Sequence, residues 1–544
     1  MTAVERVFKV NGKLFFPIGS ESVTFGGYNV PHGTQEFVFK AIRQMGGNSL
    51  SIPVYWDEIE PVEGKFDFAS VNSLIENGRK YGVKVIPLWF GTWKGGAMEF
   101  TPSWVKTNPK RFKRAVDSDS RDLWALSPHC KANLEADKKA FSAFCQYIKD
   151  NDTGEQTIIA AQVENEPGVF GSDHDYSPEG NKAFNSRVPV KFMASMKNQG
   201  KGPVYDLWQK AGAKESGSWS EIFGWEAVAG HIMYNWIIAG YVDAVAQTGK
   251  SVHNLPMFTN LWISPEWWMP HRQIHDYGPD LVKREMLLDI FRWATPHLDL
   301  ISPNNYARDS RGYEAICAIY SRPDNPFFIV ESDGDQNMFR AIADYNCIGC
   351  NFSSVERYVD ENGVILPEYT AIADNVECVA SAIPLLLKYQ GTGKIHSVIE
   401  ETGQANQWLG NLDGYVGAVQ FGSGTPPYSP TDYLHKKKIE RHEYKPGTTA
   451  RGLVIQTGKH EFYCVGSNWR IWFRPNLIPD KNRTALTARD LQFDQKHAKY
   501  VSVEEGRFND KGEFIPTLRR NGARVNHGIW VEADIGIVRV VLCE

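Results

Sequence analysis

Two acidic residues sit where a chain places groups meant to react. The segment Gln162-Val-Glu-Asn-Glu-Pro-Gly168 ends an apolar run with Glu166 straight after an asparagine, and Glu331 closes a second run, Phe327-Phe-Ile-Val330. A carboxylate at the C-terminal end of a barrel strand points into the mouth, and two such groups facing one cleft can divide the work of breaking a glycosidic bond. One holds a proton near neutral pH and gives it to the departing oxygen; the other stays ionised and attacks the sugar carbon. Retention of configuration requires the carboxyl groups to lie ~5–5.5 Å apart, whereas ~6.5–9.5 Å leaves room for an inverting water. Ionisation needs donors. Tyr306, closing Ser302-Pro-Asn-Asn-Tyr306, can give its phenol proton to a bond with Glu331, and the Asn165 amide can donate to a sugar hydroxyl. Glu164 shares the face of Glu166 if strand alternation holds, and is expected to be a structural carboxylate one layer deeper.

Eight short runs rich in Val, Ile, Leu and Phe can present these groups: 15–19 with 23–25, 49–54, 83–88, 157–163, 256–260, 298–302, 327–330 and 348–352. Amphipathic spacers separate them, so the α/β fold expected is a (β/α)8 TIM barrel over residues 1–390. The spacing in Ala69–Tyr81 predicts a helix with Val71, Leu74, Ile75 and Gly78 on one stripe and Gly82 as its stop. The spacers after the third and fourth runs are long, and 170–204 is rich in Gly, Ser, Asp and Pro, which suits excursions that wall a substrate cleft. Beyond Gln390-Gly-Thr-Gly-Lys394 the pattern changes to short alternating runs and turns, predicting a C-terminal all-β, sandwich-like domain over 391–544.

Composition narrows the class. With 42% hydrophobic and 23% charged residues in 544, disordered and fibrous chains are excluded. A net charge of −5 argues against a nucleic-acid partner. No uninterrupted apolar stretch reaches the ~18–20 residues of a bilayer span, and the first residues do not read as a leader, so no membrane partner and a cytoplasmic location are expected. Eight dispersed cysteines suit a reducing compartment. Cys347 and Cys350 lack a second pair and read as packing residues, while His271, His275 and His297 are too scattered for a metal. Neither metal nor organic cofactor is expected. Glu58, Glu60 and Glu63 read as a solvated loop.

The strand-two region, Gly47 to Phe68 with Trp56, Glu60, Pro61, Gly64, Phe66 and Phe68 in register, resembles the Trp-x-x-x-Glu-Pro-x-x-Gly-x-Phe-x-Phe signature of glycoside hydrolase families 35 and 42. Val-Glu-Asn-Glu-Pro-Gly is similar to the acid/base segment of family 35 β-galactosidases, within the clan of retaining (β/α)8 glycosidases. The resemblance implies Glu166 as acid/base, Glu331 as nucleophile, and an oligosaccharide or glycoside as substrate. Three departures mark a divergent branch: Pro53 where the family carries a sugar-contacting tyrosine, Gly91-Thr-Trp93 in place of Ala-Glu-Trp, and Ser332-Asp-Gly334 after the nucleophile in place of an aromatic residue. Glu21, Trp93 and Trp262 are the candidate replacement sugar contacts, the two tryptophans being equally suited to packing. An exo-acting β-galactosidase is expected, with a β-glucosidase, β-xylosidase or β-mannosidase, an endo-glycanase and an idle sugar-binding barrel as competing readings. The sequence leaves the oligomeric state open, a homodimer included.

Overall fold

The structure, a computed structural model, describes residues 7–22, 36–152, 154–169, 172–224, 226–261, 284–307, 309–422, 449–475, 498–520, 525 and 528–543. Its first half is a ring of eight parallel strands: β1 (Ile18–Glu21), β2 (Ser49–Tyr55), β3 (Lys84–Lys94), β4 (Ala161–Asn165), β5 (Met257–Leu261), β6 (Leu300–Asn305), β7 (Glu331–Ser332) and β8 (Cys350–Ser353). Strand β8 pairs with β1, and the Ile329–Cys350 bridge joins the seventh strand segment to the eighth. Helices alternate with the strands: α1 (Glu36–Gln44), α2 (Ala69–Tyr81), α3 (Lys131–Asp152), α4 (Glu226–Val252), α5 (Arg284–Ala294), α6 (Ser310–Tyr320), α7 (Asn337–Asp344) and α8 (Thr370–Tyr389). This is the (β/α)8 barrel the spacing predicts.

Helix α2 shows how locally the sequence dictates its element. Val71, Leu74, Ile75 and Gly78 are its buried residues, and Gly82 caps it with φ +63, a conformation glycine adopts without a Cβ clash. The seventh strand follows its apolar run less closely. Only Glu331 and Ser332 pair with β6 as a ladder, because Pro303 there has no N–H and Ser302 takes over: its Oγ donates to the Phe328 carbonyl (2.8 Å) and accepts from the Val330 N–H (3.1 Å). Residues 23–25, read as part of the first run, lie outside the described residues.

The second half is all β. One sheet has the order β9 (Ile395–Ile399), β12 (Arg451–Gly458), β13 (Glu461–Ser467), β18 (Ile537–Leu542), β15 (Tyr500–Phe508), β16 (Phe514–Arg519); the other has β10 (Asn406–Leu412), β11 (Tyr415–Phe421), β14 (Trp469–Pro475), β17 (Ile529–Val531). Val398, Val454, Phe462 and Val540 of the first sheet meet Val419, Phe421, Ile471 and Phe473 of the second in one apolar core, as in a sandwich. The other face of the six-stranded sheet, with Leu453, Ile455, Val465 and Ile537, joins the barrel's core, where α8 supplies Val376, Val379, Ala382 and Leu386. The segment Pro367–Tyr389 is long and apolar enough to cross a bilayer by length and composition, although Asp374, Glu377 and Lys388 interrupt its apolar run. In the structure its apolar face is spent on this packing.

Candidate active site

The strand-three departure from the family pattern begins the site. Trp89 pairs with Val163 and Lys94 with Asn165, so five steps along β3 oppose two along β4, and the surplus residues bulge over the end of β4. Their N–H groups have no ladder partner. Glu164 supplies one: its carboxyl accepts from Thr92 N–H (3.2 Å) and Trp93 N–H (2.7 Å). Beneath it Asp137 accepts from Trp89 Nε1 (2.9 Å) and from Thr92 Oγ1 (2.7 Å), and burial, reinforced by the Asp137 carboxyl, pushes the Glu164 acid well up. Glu164 is therefore the structural carboxylate expected, by a different route. Strand alternation fails here, with φ +61 at Glu164 and +48 at Glu166, strained values for non-glycine residues.

This packing explains Gly91. A Cβ there would lie 2.3 Å from Trp89 Nε1, 2.8 Å from Glu164 Oε1 and 2.9 Å from Asp137 Oδ1. Gly91→Ala is expected to destabilise the protein by about 1–3 kcal/mol, as overpacked cores do, measured by urea unfolding. A change within experimental error would mean that the acid pair does not hold the bulge.

The bulge delivers Lys94 to the reactive groups. Its Nζ stands 3.9 Å from Glu166 Oε2, and the charges of Glu166, Glu331 and Glu21 together outweigh burial and raise its pKa. Glu166 is 7% exposed and sits in an amide network from three neighbouring strands. Asn304 Nδ2 donates to Oε1 (2.5 Å), Asn165 Nδ2 approaches Oε2 (3.3 Å), and the Glu166 N–H donates to Asn260 Oδ1 (2.8 Å). Asn260 in turn donates to the Oδ1 atoms of Asn165 (3.1 Å) and Asn304 (3.0 Å). Burial is the main influence on this acid; Lys94 and Asn304 oppose it, Glu331 adds to it, and the Glu166 pKa is pushed up to about 7.

Across the mouth, the backbone of Glu331 pairs with that of Asn304, whose side chain touches Glu166, so the two carboxyls converge. The Tyr306 hydroxyl donates to Glu331 Oε1 at 2.5 Å, and the Glu21 side chain lies beside the same carboxyl. Burial raises the Glu331 acid above the usual carboxylate range, and Lys94, Tyr306 and Glu21 offset only part of the rise. Lys94 and Asn304 offset burial at Glu166, and Lys94, Tyr306 and Glu21 offset it at Glu331, which leaves both acids raised.

The structure gathers Glu166, Glu331, Asn165, Tyr306 and Glu21 at one end of the strands. Trp93 is placed otherwise: fully buried, with its ring edge-on to Tyr241 of α4 at 4.7 Å, it has no exposed face for a sugar. Trp262, His271 and His275 lie outside the described residues. Glu60 corrects the solvated-loop reading, since it is buried and accepts from Trp56 Nε1 (3.1 Å) and Gly64 N–H (2.7 Å). The Trp-x-x-x-Glu-Pro-x-x-Gly spacing is thus a self-bonded turn. Cys347 and Cys350 are buried with thiols pushed up by burial. Sequence reasoning missed Lys94, Asn260 and Asn304; the asparagines were detectable because each stands at the end of an apolar run, whereas Lys94 depends on the bulge.

Comparison with known proteins bears on both halves. Residues 28–223 match the glycoside hydrolase family 42 model described as Beta-galactosidase, a stretch that includes Glu166 and stops short of Glu331. Residues 372–532 match a Domain of unknown function (DUF5597), beginning inside α8. A Xanthomonas manihotis protein named Beta-galactosidase is 30% identical over 141 residues, 25% of this chain and 21% of its own length. The Homo sapiens Beta-galactosidase-1-like protein 3 is 27% identical over 195 residues, 34% of this chain and 27% of its own. The chain thus spans between 21% and 27% of the length of these curated relatives. Among solved structures, the β-galactosidase from Bacillus circulans sp. alkalophilus has 14% identity and a TM-score of 0.43, covering 68% of this chain and 56% of that one. The catalytic domain of β-amylase from Paenibacillus polymyxa has 13% identity and a TM-score of 0.46, covering 66% and 97%.

Proposed function

We propose that this chain is a retaining exo-β-galactosidase that releases terminal β-linked galactose from oligosaccharides or plant-wall side chains. The observation that carries the reading is the pairing of Glu166, poised as an acid near neutral pH, with Glu331, held by Tyr306 and Lys94 at the same barrel mouth. In the first step Glu331 attacks the anomeric carbon while Glu166 gives its proton to the glycosidic oxygen; the aglycone leaves and a covalent glycosyl-enzyme forms. In the second step Glu166, now ionised, takes a proton from water, whose oxygen displaces Glu331 and restores the β configuration. The names of the matched family model and of both curated relatives support galactose as the sugar. The strand-two signature and Val-Glu-Asn-Glu-Pro-Gly support a divergent branch of family 35 within the clan. The excursions at 95–130 and 166–225 favour a pocket over an open groove.

A panel of aryl β-glycosides tests the reading. The β-galactoside is expected to give the highest kcat/KM, with β-galactose as the first product by NMR. Preference for a β-glucoside, β-xyloside or β-mannoside overturns the sugar, and α-galactose as first product overturns the mechanism.

A further inference from the structure

Glu331 stands on the shortest strand of the barrel. Strand β7 is two residues long, whereas the other seven run from four to eleven, so few backbone bonds resist its local opening. The segments that follow β6 and β7 are tied instead to the all-β half of the chain. Glu401, just beyond β9, accepts from Ser310 Oγ at 2.7 Å, four residues past Tyr306. It also bonds to Arg340 of α7, which pairs in turn with Glu314 of α6. Thr449 Oγ1 donates to Gln336, five residues past Glu331, and Ser397 of β9 donates to Asp344 at the far end of α7 (2.7 Å). Arg451, buried at the start of β12, donates to Asn375 Oδ1 of α8, whose Nδ2 donates to the Gly334 carbonyl at 3.0 Å. Gly334 leaves that turn little slack: its φ is +70, and a Cβ there would lie 2.6 Å from Phe352 Cβ. The amides around Glu166, by contrast, come from barrel strands β4, β5 and β6.

Resting on the reading of Glu331 as nucleophile, we propose that the sandwich domain is a positioning module for that half of the site. Glu401, Thr449 and Arg451 hold the chain after β6 and β7, and so fix Tyr306 and Glu331 against the bound sugar. This gives a role to the stretch matched as a domain of unknown function, residues 372–532. Attack on a carbon is sensitive to such support, since a displacement of about 1 Å can cost on the order of 10²-fold in rate. The three residues act through backbone segments rather than on the substrate. The two carboxyls therefore answer differently to one change: loosening the sandwich contacts slows attack by Glu331 and leaves proton donation by Glu166 as it was.

Inactivation by a dinitrophenyl 2-deoxy-2-fluoro-β-galactoside reads that attack, because its leaving group needs no proton and the glycosyl-enzyme accumulates. In the full-length chain, Glu401→Ala combined with Thr449→Val is expected to slow labelling of Glu331 about 10- to 100-fold, with little change in the half-saturating concentration. The acid limb of the labelling profile, which reports Glu331, should move to higher pH as Tyr306 loosens as a donor. The alkaline limb of turnover near pH 7, which reports Glu166, should stay in place. Glu401→Gln, which keeps an acceptor for Ser310, is expected to label within about 3-fold of wild type. Equal labelling in wild type and the double variant overturns the proposal, as does a parallel shift of both limbs, the mark of general loosening. If the double variant does not fold, Ser310→Ala removes the same bond from the barrel side and is judged by the same criteria. A wild type labelled on a residue other than Glu331 fails the choice of nucleophile. Hydrogen exchange without substrate then decides the clamp by itself: faster exchange of amides 331–336 in the variant supports it, and unchanged exchange refutes it.

Discussion

Glu331→Gly is expected to lower kcat on the order of 10⁴–10⁶, the range for deleting a group that takes part in bond making. Sodium azide should then restore turnover of an activated aryl galactoside and give an α-galactosyl azide. Glycine leaves a space on the face from which the carboxylate attacked, and a small anion can enter there. The neighbours are arranged for a negative charge in that space: the Tyr306 hydroxyl donates into it and the Lys94 ammonium acts upon it. The product is monitored by NMR, and a β-azide, or substantial activity without azide, would place the nucleophile elsewhere.

The second large effect separates the two roles. Glu166→Ala is expected to slow cleavage of poor leaving groups by ~10²–10⁴ while leaving a dinitrophenyl galactoside nearly as reactive, since that phenolate departs without a proton. Azide should now yield the β-azide, by attack on the glycosyl-enzyme that Glu331 still forms. The pH profile offers a further sign. In the wild type the proton is lost as pH rises through about 7, so the alkaline limb should fall there; with the acid removed, that limb should vanish for the dinitrophenyl substrate. The same anomer from both variants, or loss of activity in Glu164→Ala with Glu166→Ala intact, would reverse the choice of carboxyls.

What could be read in the sequence was what residues state locally. Helix α2 announced its buried stripe and its glycine stop, and Glu166 and Glu331 were placed because each closes an apolar run. Tyr306 lies at the end of such a run too. Lys94 had no such marker, because its position depends on a bulge in β3 that is held by Glu164 and Asp137, and Asp137 lies on a helix far along the chain. Trp93 was ambiguous for a general reason: an indole's size fits it equally for a sugar and for a core, and here it is fully buried in an edge-type contact with Tyr241 from α4. Glu60 looked solvated because clustered acids usually are, and nothing in the local pattern told that Trp56 and Gly64 would turn toward it. Long-range pairing decided the positions of Lys94 and Trp93, and a window of ten residues does not contain it; the bonds of Glu60 reach only four residues either way, in a turn whose geometry the residue types do not state.

The six-stranded sheet imposes an order on biosynthesis. Strand β18, the last of its strands to leave the ribosome, lies between β13 and β15, and Ile537 on it belongs to the core shared with α8. While residues 395–536 are still emerging, α8 therefore lacks part of the apolar cover that the finished sheet gives it. Completion of the barrel's surface is thus an event that follows translation of the sheet, although both proposed catalytic carboxyls lie within the first 331 residues.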